Sequence, residues 1–320
     1  MRPLYFGVFT LTPKRTKRNK YARRYGQKMK TLLRIIIYIM IVFSAGYIYL
    51  EFAVFQPQLR EEAASKKRFD TANYMFKALC EKSGKKIHRT VKDVEGIFLM
   101  KLRPSGKNYG DQFRMDDPYG RDLGGDGYIE SFLRGSYQAN TTGTPAPGSP
   151  PRLGYHYVEA IDPVDGKRYH YTGKVEVVGQ KDSNAPNIRS RLMKNPDYDL
   201  NNYGFVVRKV ISSEARPRYG VTYDDISTHE EREYWIAGSS LRVVDLKTDE
   251  VIAERIGYMM DYAQGSRAVF RSPWLFAADN ACPGFQSNPL RPIPRGRGSA
   301  AQARQTQDFV EKVLIPQKES

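Results

Sequence analysis

The sequence predicts an α+β protein, an N-terminal transmembrane helix followed by a mainly antiparallel β-sheet domain with a few flanking helices. Three observations predict it. Leu32 to Leu50, LLRIIIYIMIVFSAGYIYL, is an apolar run of nineteen residues whose one charge, Arg34, lies near its start. Gln58 to about Lys82 carries Phe69, Ala72, Met75, Phe76 and Leu79 at three- and four-residue steps, the spacing of one buried helix face. From Gly154 to Met260 the chain breaks into short β-branched and aromatic runs separated by turn residues, the pattern of successive strands.

The apolar run matches a membrane span in length. At about 1.5 Å of rise per residue it just crosses a hydrocarbon core of roughly 30 Å. Phe52, Ala53, Val54 and Phe55 prolong it, so the membrane segment is set at 32–54. A buried core helix would keep a polar face, and this stretch has none. Charge gives the orientation. Residues 1–50 hold eleven Lys and Arg and no Asp or Glu. Of the chain's 51 basic residues that leaves 40, against 35 acidic, in residues 51–320. The excess charge is therefore an N-terminal arm rather than a basic domain. Lys and Arg gather on the cytoplasmic flank of a membrane segment, so the N-terminus is expected in the cytoplasm and the rest across the membrane. Cleavage as a signal peptide is the competing reading. Ser44-Ala45-Gly46 offers small residues, but bulky Tyr47 to Phe55 follow, which favours an uncleaved anchor. Met29 is itself a normal beginning for such an anchor, so residues 1–28 read either as sequence upstream of the true start or as a basic arm. Tyr21 and Tyr25 are too few to argue stacking on bases, and nucleic acid is not an expected partner.

The expected organisation is then an arm at 1–31, the membrane helix at 32–54 and a stalk or packing helix at 55–86. A β-rich domain follows at 87–282, and an irregular tail with a short helix at 283–320. Pro57 suits a first helical turn or a kink, and Gly84 is a stop. Val91–Val94 and Ile97–Leu102 have strand composition. Residues 105–153 are rich in Gly, Asp, Pro, Ser and Thr, which predicts a mobile loop with a local helix at Tyr128–Leu133. Tyr155–Ile161, the turn Asp162–Gly166 and Lys167–Val178 make a hairpin. Strands follow at Tyr203–Ile211 and Tyr219–Tyr223. A second hairpin joins Tyr234–Leu246 to Val251–Met260, and Gln302–Leu314 reads as a closing helix.

Cys80 and Cys282 are the two cysteines, and both follow the anchor. In an oxidising compartment such a pair is a disulfide candidate; two buried free thiols are the other reading.

YGVTYDDISTHEEREYWIAGSSLRVVDLKTDEVIAERIGYMMD (219–261), RSPWLFAADNACP (271–283) and VEGIFLMKLRP (94–104) resemble a family of proteobacterial single-pass membrane-anchored proteins without an assigned function. The resemblance covers most of the chain from Met29. It implies a bacterial inner-membrane setting, a periplasmic domain and a shared fold, and it carries over no catalytic or binding residue.

No reaction motif stands out. Asp122, Asp126, Gly127 and Ile129 match positions one, five, six and eight of a calcium loop. Gly124 stands at position three and Leu133 where a bidentate glutamate is required, so no metal is assigned. His88, His156, His170 and His229 show no zinc spacing; His156 and His170 lie on the two arms of one hairpin and could face each other, with two surface residues flanking a turn as the plainer reading. Gly238-Ser239-Ser240-Leu241-Arg242 lacks the closing glycine of a nucleophile elbow. Asp224, Asp225, Ser227, His229 and Glu230 form a dense polar corner that turn chemistry explains. No cofactor loop is present. The 22 Tyr and 15 Phe suit either a β-rich core or a recognition surface. The functional expectation is a membrane-anchored binding or assembly module of the envelope, engaging lipid through 32–54 and an envelope protein or cell-wall component. The alternative is an envelope hydrolase using the 224–230 corner, with Asp225 and His229, or the acidic 111–130 loop, with Asp122 and Asp126.

Overall fold

The computed structural model describes residues 18–106, 108–121, 123–134, 154–285, 302–303 and 305–317, with side chains from residue 24. The chain divides into two compact units, up to Lys67 and from Arg68 onward. Most of the 283–299 tail expectation and the second half of the 105–153 loop lie outside the described residues.

The first unit is helical. Helix α1, Arg18–Leu50, leads through a π turn at Glu51–Phe55 into α2, Gln56–Cys80. Pro57 has no N–H to give to Ala53. Immediately before it the ladder widens by one residue, the Gln56 amide donating to the Glu51 carbonyl, and the helix continues where the sequence allowed a kink. From Leu32 to Leu50 every side chain is exposed, Ile35 at 51% and Phe43 at 75%. This is one helix long and apolar enough to cross a membrane.

The second unit is α+β. Among the described residues its main sheet has nine strands. Eight of them run in the order β1 (Gly84–Ile87), β9 (Glu250–Met260), β8 (Ile236–Asp245), β7 (Tyr219–Asp225), β3 (Gly96–Leu99), β4 (Tyr157–Ile161), β5 (Arg168–Gln180) and β6 (Asn201–Ile211). The ninth, β10 (Ala281–Cys282), pairs with β9 beside β1. The pairings are antiparallel except around β3, which runs parallel to both β4 and β7. A tight turn cannot join parallel strands, so the chain leaves β3 and crosses the sheet through α3, Asp126–Arg134, before returning in β4. A small parallel pair, β2 (Val91–Val94) with β11 (Leu314–Pro316), ties the last described segment to the start of the domain.

Strand alternation divides the buried residues between two faces. On one, Ile97, Leu99, Val158, Val221, Tyr223, Leu241 and Val243 pack beneath α3 and α7 (Gln305–Val313), which contribute Ile129, Phe132, Phe309 and Val313. On the other, Phe69, Ala72, Met75, Phe76 and Leu79 of α2 cover Ile236, Tyr258 and Met260, the residues that the helical spacing singles out. At the end of that helix Cys80 is bonded to Cys282 of β10, with Cα atoms 5.5 Å apart.

Charge fixes one corner of the sheet. Asp245 closes β8 with its side chain fully buried and accepts from Arg218 and Arg89, each at 2.8 Å. Arg218, then Arg89 and the Lys247 amide, hold its carboxyl down at about 2, against 3.8 for an unperturbed group. A depressed folded-state pKa stabilises the fold above the unfolded value and loses that contribution as pH falls from 3.8 toward 2. Thermal melts of Asp245→Asn should therefore show a lower Tm at neutral pH and a flatter acid limb across that window. An unchanged acid limb would remove Asp245 as its source.

Candidate functional site

The two regions that the alternative hydrolase reading would use are built largely of ion pairs and turns. Asp225, at the end of β7, is ion-paired to Arg232, which is 4% exposed. Arg232 lies on α5 (His229–Glu233) and also donates to the Met115 carbonyl at 3.0 Å, with its guanidinium over the Trp274 ring. Thr228 caps this helix in a reciprocal capping box with Glu231, a signal present in the sequence as Thr-x-x-Glu. Ser227 Oγ accepts from the Gly238 amide at 2.7 Å. Asp224 pairs with Arg242. His229 is 76% exposed, stacks on Phe113 at 4.7 Å and lies 3.6 Å from Glu233. No hydrogen bond joins Ser227 to His229. The corner is a clamp between β7, α5 and the loop at 111–115.

The acidic loop is likewise divided. Asp111 accepts from the amides of Phe113 and Arg114 and so forms a turn; these two bonds hold its carboxyl below the usual range. Asp116 meets Lys101 at 3.1 Å. Asp117 is fully buried against Arg103, 2.8 Å away, and accepts from the Gly120 amide at 2.9 Å. Burial pushes the Asp117 carboxyl up against the pull of Arg103. The Arg103 guanidinium rests 3.9 Å from the centre of the Tyr223 ring. A Cβ at Gly120 would stand 2.4 Å from Asp117 Oδ2, so only glycine lets the backbone approach this ion pair. Met115, Tyr119 and Arg121 are buried too, so this described part of the expected mobile loop is packed. Asp122 lies outside the described residues. Among those described, no group of His, Cys, Asp and Glu is arranged to hold a metal ion.

Asp126 is placed differently. It opens α3, where a carboxylate complements the helix dipole, and the helix ends on Arg134. Tyr128, Ile129, Phe132 and Leu133 face the sheet. Where α3 passes over β5 and β6 it leaves a groove of about 390 Å³. Asp126, Ile129 and Glu130 form the helix wall; Tyr171, Phe205, Val207 and Lys209 form the sheet wall. Glu130 is paired with Arg134 at 3.0 Å and Lys209 with Asp162 at 3.0 Å. The Val164 amide, then Lys209, holds the Asp162 carboxyl low, and Asp162 in turn holds the Lys209 ammonium high. Among the described residues no ion pair or hydrogen bond engages the Asp126 carboxylate.

No family model, no curated protein and no solved structure matches the chain. The family resemblance therefore rests on its own residues, and the site is read from geometry alone.

One cluster escaped the sequence reading. Glu159 on β4 is 1% exposed; Ser212 donates to it at 2.7 Å, His170 Nδ1 stands 3.3 Å away and Arg168 Nε 3.5 Å away. The Tyr157 ring stacks on His170 at 4.5 Å. Burial, then Glu159, pushes the Tyr157 phenol up. His156 and His170 do not face each other. The turn is longer than the symmetric reading requires: Ile161 pairs with Arg168, which brings Glu159 opposite His170 and leaves His156 exposed. The signal was a glutamate and a histidine on alternating positions of facing strands, readable once the register is known.

Proposed function

We propose that the protein is a membrane-anchored binding or assembly module of the bacterial envelope. Residues 32–54 hold it in the inner membrane, with the N-terminus cytoplasmic and the sheet domain periplasmic. The single observation that carries the binding role is the β5–β6 ribbon. Beyond Thr172, β5 has no partner except β6, and β6 ends the sheet with one edge open among the described residues. Val175, Val177, Val178, Val210 and Ile211 are exposed along it, 46–63% each. Soluble proteins blunt such edges, and an exposed apolar ribbon marks an interaction surface. The anchor is supported by the length and composition of the helix, and the orientation by the basic residues that precede it. The Cys80–Cys282 bond fits an oxidising compartment. The resemblance to proteobacterial anchored proteins agrees with both.

A photo-crosslinking amino acid placed at Val177 or Val210 in living cells tests this. Discrete adducts are expected from both positions and none from Val269, which is 93% exposed in the segment after β9, toward the other end of the sheet from β6. Equal labelling from all three, or from none, would contradict the reading.

A further inference from the structure

The reading above leaves the partner's chemistry open, and the groove beside the ribbon narrows it. Four features meet there. First, β6 runs for 11 residues with β5 on one side, and among the described residues no strand bonds the backbone N–H and C=O groups along its outer edge. Second, the two cations that would guard this edge are already engaged within the sheet. Arg208 makes a two-pronged pair with Glu176 at 2.6 Å, and Lys209 bonds Asp162. Third, the groove that flanks the edge is walled by Ile129, Phe205 and Val207, an apolar floor wide enough for side chains arriving from an added strand. Gly173 makes room for that floor: its missing Cβ would lie 2.5 Å from the Phe205 ring, so only glycine lets the ring come this close to β5. Fourth, the side-chain charges around the groove do not balance. Glu130 has Arg134 and Lys209 has Asp162, which leaves the Asp126 carboxylate without a side-chain cation among the described residues.

Resting on the binding-module reading, we infer that this groove takes an extended peptide segment of another protein, added as a further strand at β6. Its apolar side chains enter the groove at alternate positions, and one Lys or Arg meets Asp126. The alternation follows from the two-residue period of a strand, which sends every second side chain to the same face. The edge supplies main-chain hydrogen bonds and the groove supplies selection, the division of labour found wherever a peptide adds to a sheet. The unmatched carboxylate sets the sign of the partner's charge. A cation placed there is paired on arrival, whereas an acidic side chain would add a second negative charge beside Glu130.

The test uses the full chain in nanodiscs and a fluorescein-labelled probe, acetyl-Thr-Val-Thr-Lys-Thr-Val-Thr-amide, followed by fluorescence anisotropy. Saturable binding is expected. It should weaken about tenfold when alternate probe amides are N-methylated, because the main-chain bonds are lost while the side chains stay. It should weaken about threefold with Glu in place of Lys in the probe, and by a similar factor in Asp126→Asn. Gly173→Ala should weaken it as well, by displacing Phe205, while the thermal melt reports whether the domain is still folded. Equal binding of the N-methylated probe would overturn strand addition. Failure of the probe to bind would overturn the inference, and crosslinks from Val177 and Val210 would then show the binding-module reading standing without it. A concentration-dependent dimer in sedimentation, broken by Val210→Asp, would give the edge to a second copy of the chain and also overturn it.

Discussion

Replacing Cys80 and Cys282 together by serine is expected to lower unfolding stability by about 5 kcal/mol in the chain-entropy account. The bond closes a loop across a sequence separation of 202 residues, and freeing so long a loop gives the unfolded chain much conformational entropy. The folded side of the balance suffers too. Cys80 ends α2, and Cys282 lies on β10 opposite Tyr258 of β9. Ala72 and Phe76 on that helix cover Ile236, Tyr258 and Met260, so the bond and the helix–sheet contact hold the same joint. Urea unfolding of the full chain, with and without reductant, measures the effect. Reduction of the native protein should reproduce the double substitution. A loss below about 1 kcal/mol would mean that the unfolded chain is already restrained elsewhere.

The second large effect is expected at Asp117. Substitution by alanine takes the carboxylate from Arg103, which is 1% exposed and set between the Tyr223 and Tyr128 rings. Removing one member of a buried ion pair costs about 3–5 kcal/mol, because the remaining charge stays desolvated. Asp117→Asn keeps an acceptor for the Gly120 amide and should cost less. The double variant Arg103→Met with Asp117→Leu should recover much of the loss, since it removes the charge as well as its partner. Chemical unfolding of the three variants gives the ranking. If the double variant is as unstable as Asp117→Ala, the ion pair contributes through packing rather than charge.

These two joints also show how far the residues could be read in advance. The apolar run at 32–50, the α2 face from Phe69 to Leu79 and the helix around Tyr128 were legible because their signals are local and periodic. The hairpins were legible for the same reason: Asp162–Gly166 and Lys247–Glu250 mark their turns, and the flanking strands alternate. Strands whose partners are distant were not. Gly84–Ile87 is short and Lys-rich, and it is a strand because β9 is there to pair with it. Leu314 reads as the last residue of a closing helix, and it instead opens the strand Leu314–Pro316 because Val91 and Val94 lie beside it. The parallel setting of β3 between β4 and β7 likewise depends on the chain's path, which alternation cannot encode. At the site level the polar corner looked dense because a capping box and a buried arginine clamp need the same residue types as a catalytic set. Thr228 with Glu231 was the readable clue. Asp126 stands out in the sequence as part of an acidic loop to which no metal is assigned, and its setting is the rim of a groove whose other wall, Phe205 and Val207, lies far away in sequence.

We propose an anchored domain held outside the cytoplasm and closed by a disulfide. Labelling Cys80 and Cys282 in intact cells with a membrane-impermeant thiol reagent, repeated after reduction and unfolding, tests it most directly. The account predicts no labelling until the disulfide is reduced, and then labelling of both cysteines without lysis. Free thiols that become reactive only when the cells are broken open would place the domain in the cytoplasm and contradict it.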